Sequence, residues 1–173
     1  MGAVAEVELR PIYLISGGDR PKIRRALERL RARFGPESVE TLAADAGGGE
    51  EAVAACNSLG LFSGEGGRLV LVEGVESWKK DDEEAVAAYV KDPVAGAVLV
   101  LIAEGDLKGS TLPALCKKAG EVLTYEVPKP RDLPSWVRAQ FERLGVNADP
   151  DAARALVDIV GDDATALTTE AEK

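Results

Sequence analysis

From Pro11 onward, short apolar runs alternate with longer stretches in which apolar residues recur every three or four positions. Ile12-Tyr13-Leu14-Ile15 is a continuous run of strand length, and Ile23, Leu27, Leu30 and Phe34 follow at helical spacing. A strand and an amphipathic helix are therefore predicted. Gly35-Pro36 stops the helix, Ser38 to Leu42 reads as a second strand, and a small-residue turn from Ala43 to Gly49 leads to a helix from Glu50 to Leu59. The alternation continues with a strand over Arg68 to Val72 and a helix over Asp81 to Val90. A strand over Ala97 to Ile102, a helix over Thr111 to Lys118 and a fifth strand over Val122 to Val127 complete it.

The runs Leu69 to Val72 and Val98 to Leu101 are apolar throughout rather than alternating. Strands apolar on both faces belong in the middle of a parallel sheet covered by helices. Five strand-helix units with short connections predict a doubly wound α/β fold with a five-stranded parallel sheet. At Pro128-Lys129-Pro130 the pattern changes, because two prolines in three residues favour an extended hinge and everything beyond reads as helix. Leu133, Trp136, Val137, Phe141 and Leu144 form an apolar stripe on a helix that Gly145 ends. Asp149-Pro150 supplies an N-cap and a first-turn proline for the next helix, which carries Leu156 and Ile159 and stops at Gly161. Asp162-Asp163 caps a last helix, Ala164 to Lys173. The expected organisation is a tail over residues 1–9, an α/β domain over 10–128 and a small helical domain over 129–173.

Composition narrows the chemistry. The chain has 173 residues, 46% of them hydrophobic, enough for a globular core. With 30 acidic against 21 basic residues and a formal net charge of -9, a nucleic-acid surface spread over the whole molecule is excluded, and any affinity for DNA must be local. There is no histidine, and the two cysteines, Cys56 and Cys116, lie far apart. No zinc site or Cys-His nucleophile is expected, and both thiols read as reduced and buried. No apolar run approaches the roughly 18 to 20 residues that span a bilayer, and the start of the chain lacks the pattern of a signal peptide. A cytoplasmic location without membrane contact is expected.

A doubly wound fold offers a ligand crevice after its first strand, which draws attention to Ser16-Gly17-Gly18-Asp19-Arg20-Pro21-Lys22. A phosphate cradle needs backbone N–H groups aimed at the anion, a lysine and a hydroxyl at fixed spacing. Here the glycines are adjacent, Asp19 puts negative charge where phosphate would sit, Pro21 has no N–H, and Ile23 follows Lys22. The turn instead reads as a tight loop with Asp19 as helix N-cap and Pro21 in the first turn. Glu73 and Glu76, at the end of the third apolar run, read as solvated or capping carboxylates. Magnesium sites lean on substrate phosphates that this loop does not hold. The acidic cluster Asp81-Asp82-Glu83-Glu84 suits a helix start. No catalytic residue, cofactor or metal site is assigned.

Leu61 and Phe62 stand in Gly60-Leu61-Phe62-Ser63-Gly64-Glu65-Gly66-Gly67, a segment too rich in glycine for helix or strand. Three readings remain open from the residues alone: the pair plugs the end of the preceding helix, it is an exposed anchor for a partner, or it is tucked in until a partner binds.

Four segments together resemble the δ subunit of the bacterial DNA polymerase III clamp loader. They are Pro-Ile-Tyr-Leu-Ile-Ser-Gly-Gly-Asp at 11–19, Leu-Gly-Leu-Phe-Ser-Gly at 59–64 before Arg-Leu-Val-Leu-Val-Glu, Lys-Pro-Arg-Asp-Leu-Pro-Ser-Trp-Val-Arg at 129–138, and the run from Val160 to Lys173. The resemblance implies an AAA+ α/β domain and a helical lid that neither bind nor hydrolyse ATP, with the collar domain of that family absent. It also implies that Leu61 and Phe62 are the hydrophobic wedge that binds and opens the β sliding clamp during DNA replication. Other loader subunits would be partners, held less firmly without the collar, and DNA would be met only as part of the complex. ATPase relatives of that family carry a sensor arginine where this chain has Asp162, Asp163 and Ala164. Lys79, Lys80, Lys108, Lys117 and Lys118 are candidate DNA contacts within such a loader. The rival readings are a nucleotide-dependent P-loop-like enzyme, using Gly17-Gly18-Asp19 and Glu73, and a flavodoxin-like small-ligand or regulatory module.

Overall fold

The computed structural model describes residues 8–58 and 67–173. Five strands form one parallel sheet: β1 (Ile12–Ser16), β2 (Val39–Ala43), β3 (Arg68–Glu73), β4 (Ala97–Ala103) and β5 (Glu121–Thr124). Their order is β2-β3-β4-β1-β5, with every neighbouring pair parallel. The predicted all-parallel α/β sheet is what forms. Its three central strands, β3, β4 and β1, are those whose apolar runs show no alternation.

The pleat sends alternate residues to opposite faces. Ile12, Leu14, Val70, Val72, Leu99 and Leu101 pack on one face beneath α2 (Gly49–Asn57), α3 (Lys80–Tyr89) and α4 (Leu112–Ala119). Tyr13, Ile15, Leu69, Leu71, Val100 and Ile102 pack on the other beneath α1 (Arg20–Arg31), which contributes Ile23, Leu27 and Leu30. Leu9, within the segment expected to be a tail, packs against this second cluster.

Two carboxylates on α3 fasten the first face. Asp82 Oδ2 accepts from the Lys79 N–H at 3.0 Å, and Oδ1 accepts from the Gly49 N–H at the start of α2 at 2.9 Å. Those two amides hold the Asp82 carboxyl below its ordinary pKa. Gly49 is needed at this contact, because a Cβ there would lie 2.0 Å from the Asp82 carbonyl oxygen. Glu83 is buried and reaches the start of α4. It accepts from Ser110 Oγ at 2.6 Å, Thr111 Oγ1 at 2.6 Å and the Thr111 N–H at 2.9 Å. Burial raises the Glu83 pKa and these three bonds lower it; the bonds prevail, leaving it below its ordinary 4.5.

Beyond β5, α5 (Leu133–Arg143), α6 (Pro150–Val160) and α7 (Ala164–Ala171) gather around their own cluster of Leu133, Val137, Ala153 and Leu167, with Trp136 and Phe141 against it. Asp149 and Asp163 cap α6 and α7 as predicted: Asp149 accepts from the Asp151 N–H, and Asp163 from those of Thr165 and Ala166. Two residues of the predicted apolar stripes lie elsewhere. Leu144 is the C-cap of α5, past its last full turn, and is exposed. Ile159 is 83% exposed, because α6 turns its 153-156-157-160 face to the cluster and leaves 159 outside it.

Candidate functional site

The crevice of a doubly wound sheet lies at the carboxyl ends of adjacent strands whose helices go to opposite faces. Here those strands are β1, followed by α1, and β4, followed by α4. At that point the turn after β1 is closed by its own backbone. The Gly17 N–H donates to the Ala103 carbonyl at 3.3 Å, the Asp19 N–H to the Tyr125 carbonyl at 3.0 Å, and the Arg20 N–H to the Gly18 carbonyl at 2.9 Å. The Lys22 N–H donates to Asp19 Oδ1 at 3.1 Å and the Ile23 N–H to the Asp19 carbonyl at 3.0 Å. Pro21 has no N–H to give. Of the amides that would converge on an anion, those of Gly17, Asp19, Arg20, Lys22 and Ile23 are thus already engaged.

Asp19 caps α1 as predicted and is fully buried. Its Oδ2 sits 3.2 Å from Lys22 Nζ, an ion pair without the alignment of a hydrogen bond, so Lys22 is turned back onto its own cap. Gly17 has φ +123°, and a Cβ there would stand 2.0 Å from the Tyr125 carbonyl oxygen. The chain after β5 is pressed into the space beside the turn. Glycine at this position serves the close approach of protein to protein.

Beside this turn lies a cleft of about 850 Å³, walled by the flank of α1 with Arg20, Arg24 and Arg31, and facing Asp45, Glu73 and Glu104 at the ends of the strands. Thr165, Thr168 and Thr169 of α7 roof it. Opposite charges across the cleft are partly paired, Arg20 meeting Glu104 at 2.7 Å with both side chains about half or more exposed. Glu73 is exposed, and Glu76 accepts the Gly105 N–H at 3.1 Å, tying the end of β3 to the loop after β4. Neither carboxylate caps a helix: Glu73 faces solvent, and Glu76 ties one loop to another. Among the described residues no three His, Cys, Asp or Glu side chains stand together so as to hold a metal ion.

The two thiols are buried beneath the helices, and desolvation pushes Cys56 up to about 11 and Cys116 up to about 12. Neither is a nucleophile at neutral pH. Lys79, Lys80, Lys108, Lys117 and Lys118 are all exposed on α3, α4 and the loops before them. A denser group of cations was not among the sequence-predicted candidates: six arginines and one lysine between Arg20 and Arg33. Its signal is local charge density, hidden by the acidic total. Leu59, Leu61 and Phe62 lie outside the described residues. No helix among the described residues is long and apolar enough to cross a membrane.

No protein-family model matches the sequence, and no curated protein matches it significantly. Solved structures do match in fold. The DNA clamp loader delta protein of Bacillus subtilis superposes with a TM-score of 0.71 at 17% identity, covering 95% of this chain and 52% of its own. Two variants of Thermotoga maritima RuvB superpose with a TM-score of 0.55 at 13% and 12% identity, covering 95% of this chain and 54% of theirs. The chain thus spans about half the length of the structures it matches, and it shares their fold over that part.

Proposed function

We propose that this chain acts as a clamp-loader δ-type protein that binds and opens a sliding clamp through Leu61 and Phe62, without binding ATP. The observation that carries the nucleotide-free part is the turn after β1. Its Gly17, Asp19, Lys22 and Ile23 amides are engaged by Ala103, Tyr125 and Asp19, and a buried carboxylate stands where a phosphate would need positive charge. The acidic start of α7, with Asp163 serving as its cap, agrees with this reading. The likeness in fold to a clamp loader delta protein supports the assignment at the level of the whole molecule.

The wedge itself rests on the sequence resemblance at residues 59–64. A large aliphatic and an aromatic side chain filling a partner's pocket are the usual anchors of an interface, each worth about 2 kcal/mol or more. To open a ring, the pair must bind the open clamp more tightly than the closed one. On this reading residues 10–128 are the AAA+-like domain and 129–173 the lid of a non-catalytic cytoplasmic replication protein. Its partners are the clamp and other loader subunits.

Titration with ATP and Mg²⁺ tests the nucleotide-free claim: no saturable heat is expected. Saturable, magnesium-dependent binding would instead favour the rival, a nucleotide-dependent enzyme using the cleft beside Glu73.

A further inference from the structure

The outer side of α6 leaves apolar residues in water. The large hydrophobics exposed among the described residues, Val127, Leu144, Val146 and Ile159, all lie beyond β5, and Ile159 is the most exposed of them. A lone exposed isoleucine would need no account. Ile159, however, has Ala155 one turn before it and Ala152 two turns before it, both exposed, with half-buried Leu156 alongside. At 100° per residue these three exposed positions fall within an arc of about 60°, along about 10 Å of helix. Short alanines beside an isoleucine let a second helix approach closely, its ridges set into the grooves of α6. The rim of the stripe is acidic. Asp151 and Asp158 stand on α6 itself, Asp149 caps its start, and Asp162 and Asp163 follow its end. Among the described residues none of the five is ion-paired, and the only cation on α6 is Arg154.

We propose that the Ala152-Ala155-Ile159 face of α6 docks an amphipathic helix of a partner protein, apolar toward the stripe and basic along its flanks. Burial of Ile159 supplies the apolar contact, and lysine or arginine heads on the incoming helix meet the aspartates while their stems cover apolar surface. A second copy of this chain fits worse, because it would bring the same five aspartates against their like. Nucleic acid carries the wrong charge for this face. The face shares no residue with Leu61 and Phe62, so it goes beyond the proposed clamp contact.

The test is fluorescence anisotropy of the whole chain with a labelled peptide of about 14 residues, roughly four helical turns, with leucines on one face and lysines elsewhere. Saturable binding that weakens as salt is added is expected. Ile159→Gln should weaken it about tenfold or more. Asp151→Asn/Asp158→Asn should weaken it too and flatten its salt dependence. Far-UV circular dichroism of both variants should match wild type, because all three side chains are exposed. The control Asp81→Asn/Glu84→Gln on α3 should bind within about twofold of wild type, as should Leu61→Ala/Phe62→Ala, so failure here and failure of the clamp assignment are read separately. A peptide of the same composition with its leucines scattered over all faces should bind about tenfold or more weakly. Equal binding by either α6 variant, or by the scattered peptide, overturns the proposal. So does sedimentation of the chain alone as a dimer that Ile159→Gln dissociates, which would give the face to a second copy.

Discussion

Asp19 and Gly17 are where single residues decide what the crevice can hold. Asp19→Ala removes the side-chain acceptor from the Lys22 N–H and frees Lys22, and should cost about 1–2 kcal/mol of stability by denaturant titration. Gly17→Ala meets two obstacles at once. Backbone strain at φ +123° costs ~1–3 kcal/mol, and the new Cβ also displaces the Tyr125 carbonyl that holds the turn shut. A larger loss of stability than for Asp19→Ala is expected. Glu83 sets a pH dependence of known sign. Its folded pKa lies below the ordinary 4.5, so its stabilisation is complete above 4.5 and is lost as the pH falls through the lower folded value. Denaturation midpoints measured from neutral to acidic pH should fall in that window, and Glu83→Gln should flatten the fall while lowering the neutral plateau. Asp82, held down by two amides, adds to the loss from 3.8 downward. The buried thiols should resist alkylation near pH 8 in the folded chain and react once it is unfolded; rapid modification of the native protein would contradict their burial.

The elements themselves are largely legible in sequence, because each obeys one dominant local cause. Doubly apolar runs mark β3 and β4, a period near 3.6 marks α1, and aspartates at 19, 149 and 163 mark helix starts that the structure caps with those same side chains. What is not legible depends on contacts distant in sequence. Apolar content predicts β5 as far as Val127, but the strand ends at Thr124. Gly17 turns β1 aside there, and Tyr125 gives its N–H to the Ser16 carbonyl while its own carbonyl accepts from Asp19. Helical spacing carries α1 to Phe34, yet the helix ends at Arg31, where two tighter turns tuck Phe34 into the core. Periodicity likewise puts Ile159 on an apolar face without showing which face of α6 turns inward. Of the candidate site, the missing phosphate spacing is visible at once in Gly17-Gly18-Asp19-Arg20-Pro21. The carbonyls that engage its amides, on Ala103 and Tyr125, are far away in sequence and only the fold brings them there.

Taken as a whole molecule, the chain joins a parallel sheet, a helical cluster roofing its crevice and an uneven distribution of charge. The proposed loader function would use these parts differently from a nucleotide-driven relative, with the turn after β1 as a structural joint and work on a partner assigned to the segment between α2 and β3. The most direct test is calorimetric titration of the whole chain against a bacterial sliding clamp in nucleotide-free buffer. The account predicts saturable binding, unchanged by added ATP and Mg²⁺. It predicts that Leu61→Ala/Phe62→Ala weakens that binding by about thirtyfold or more, equivalent to ~2 kcal/mol or more. Equal affinity of the wild-type and variant chains would contradict it.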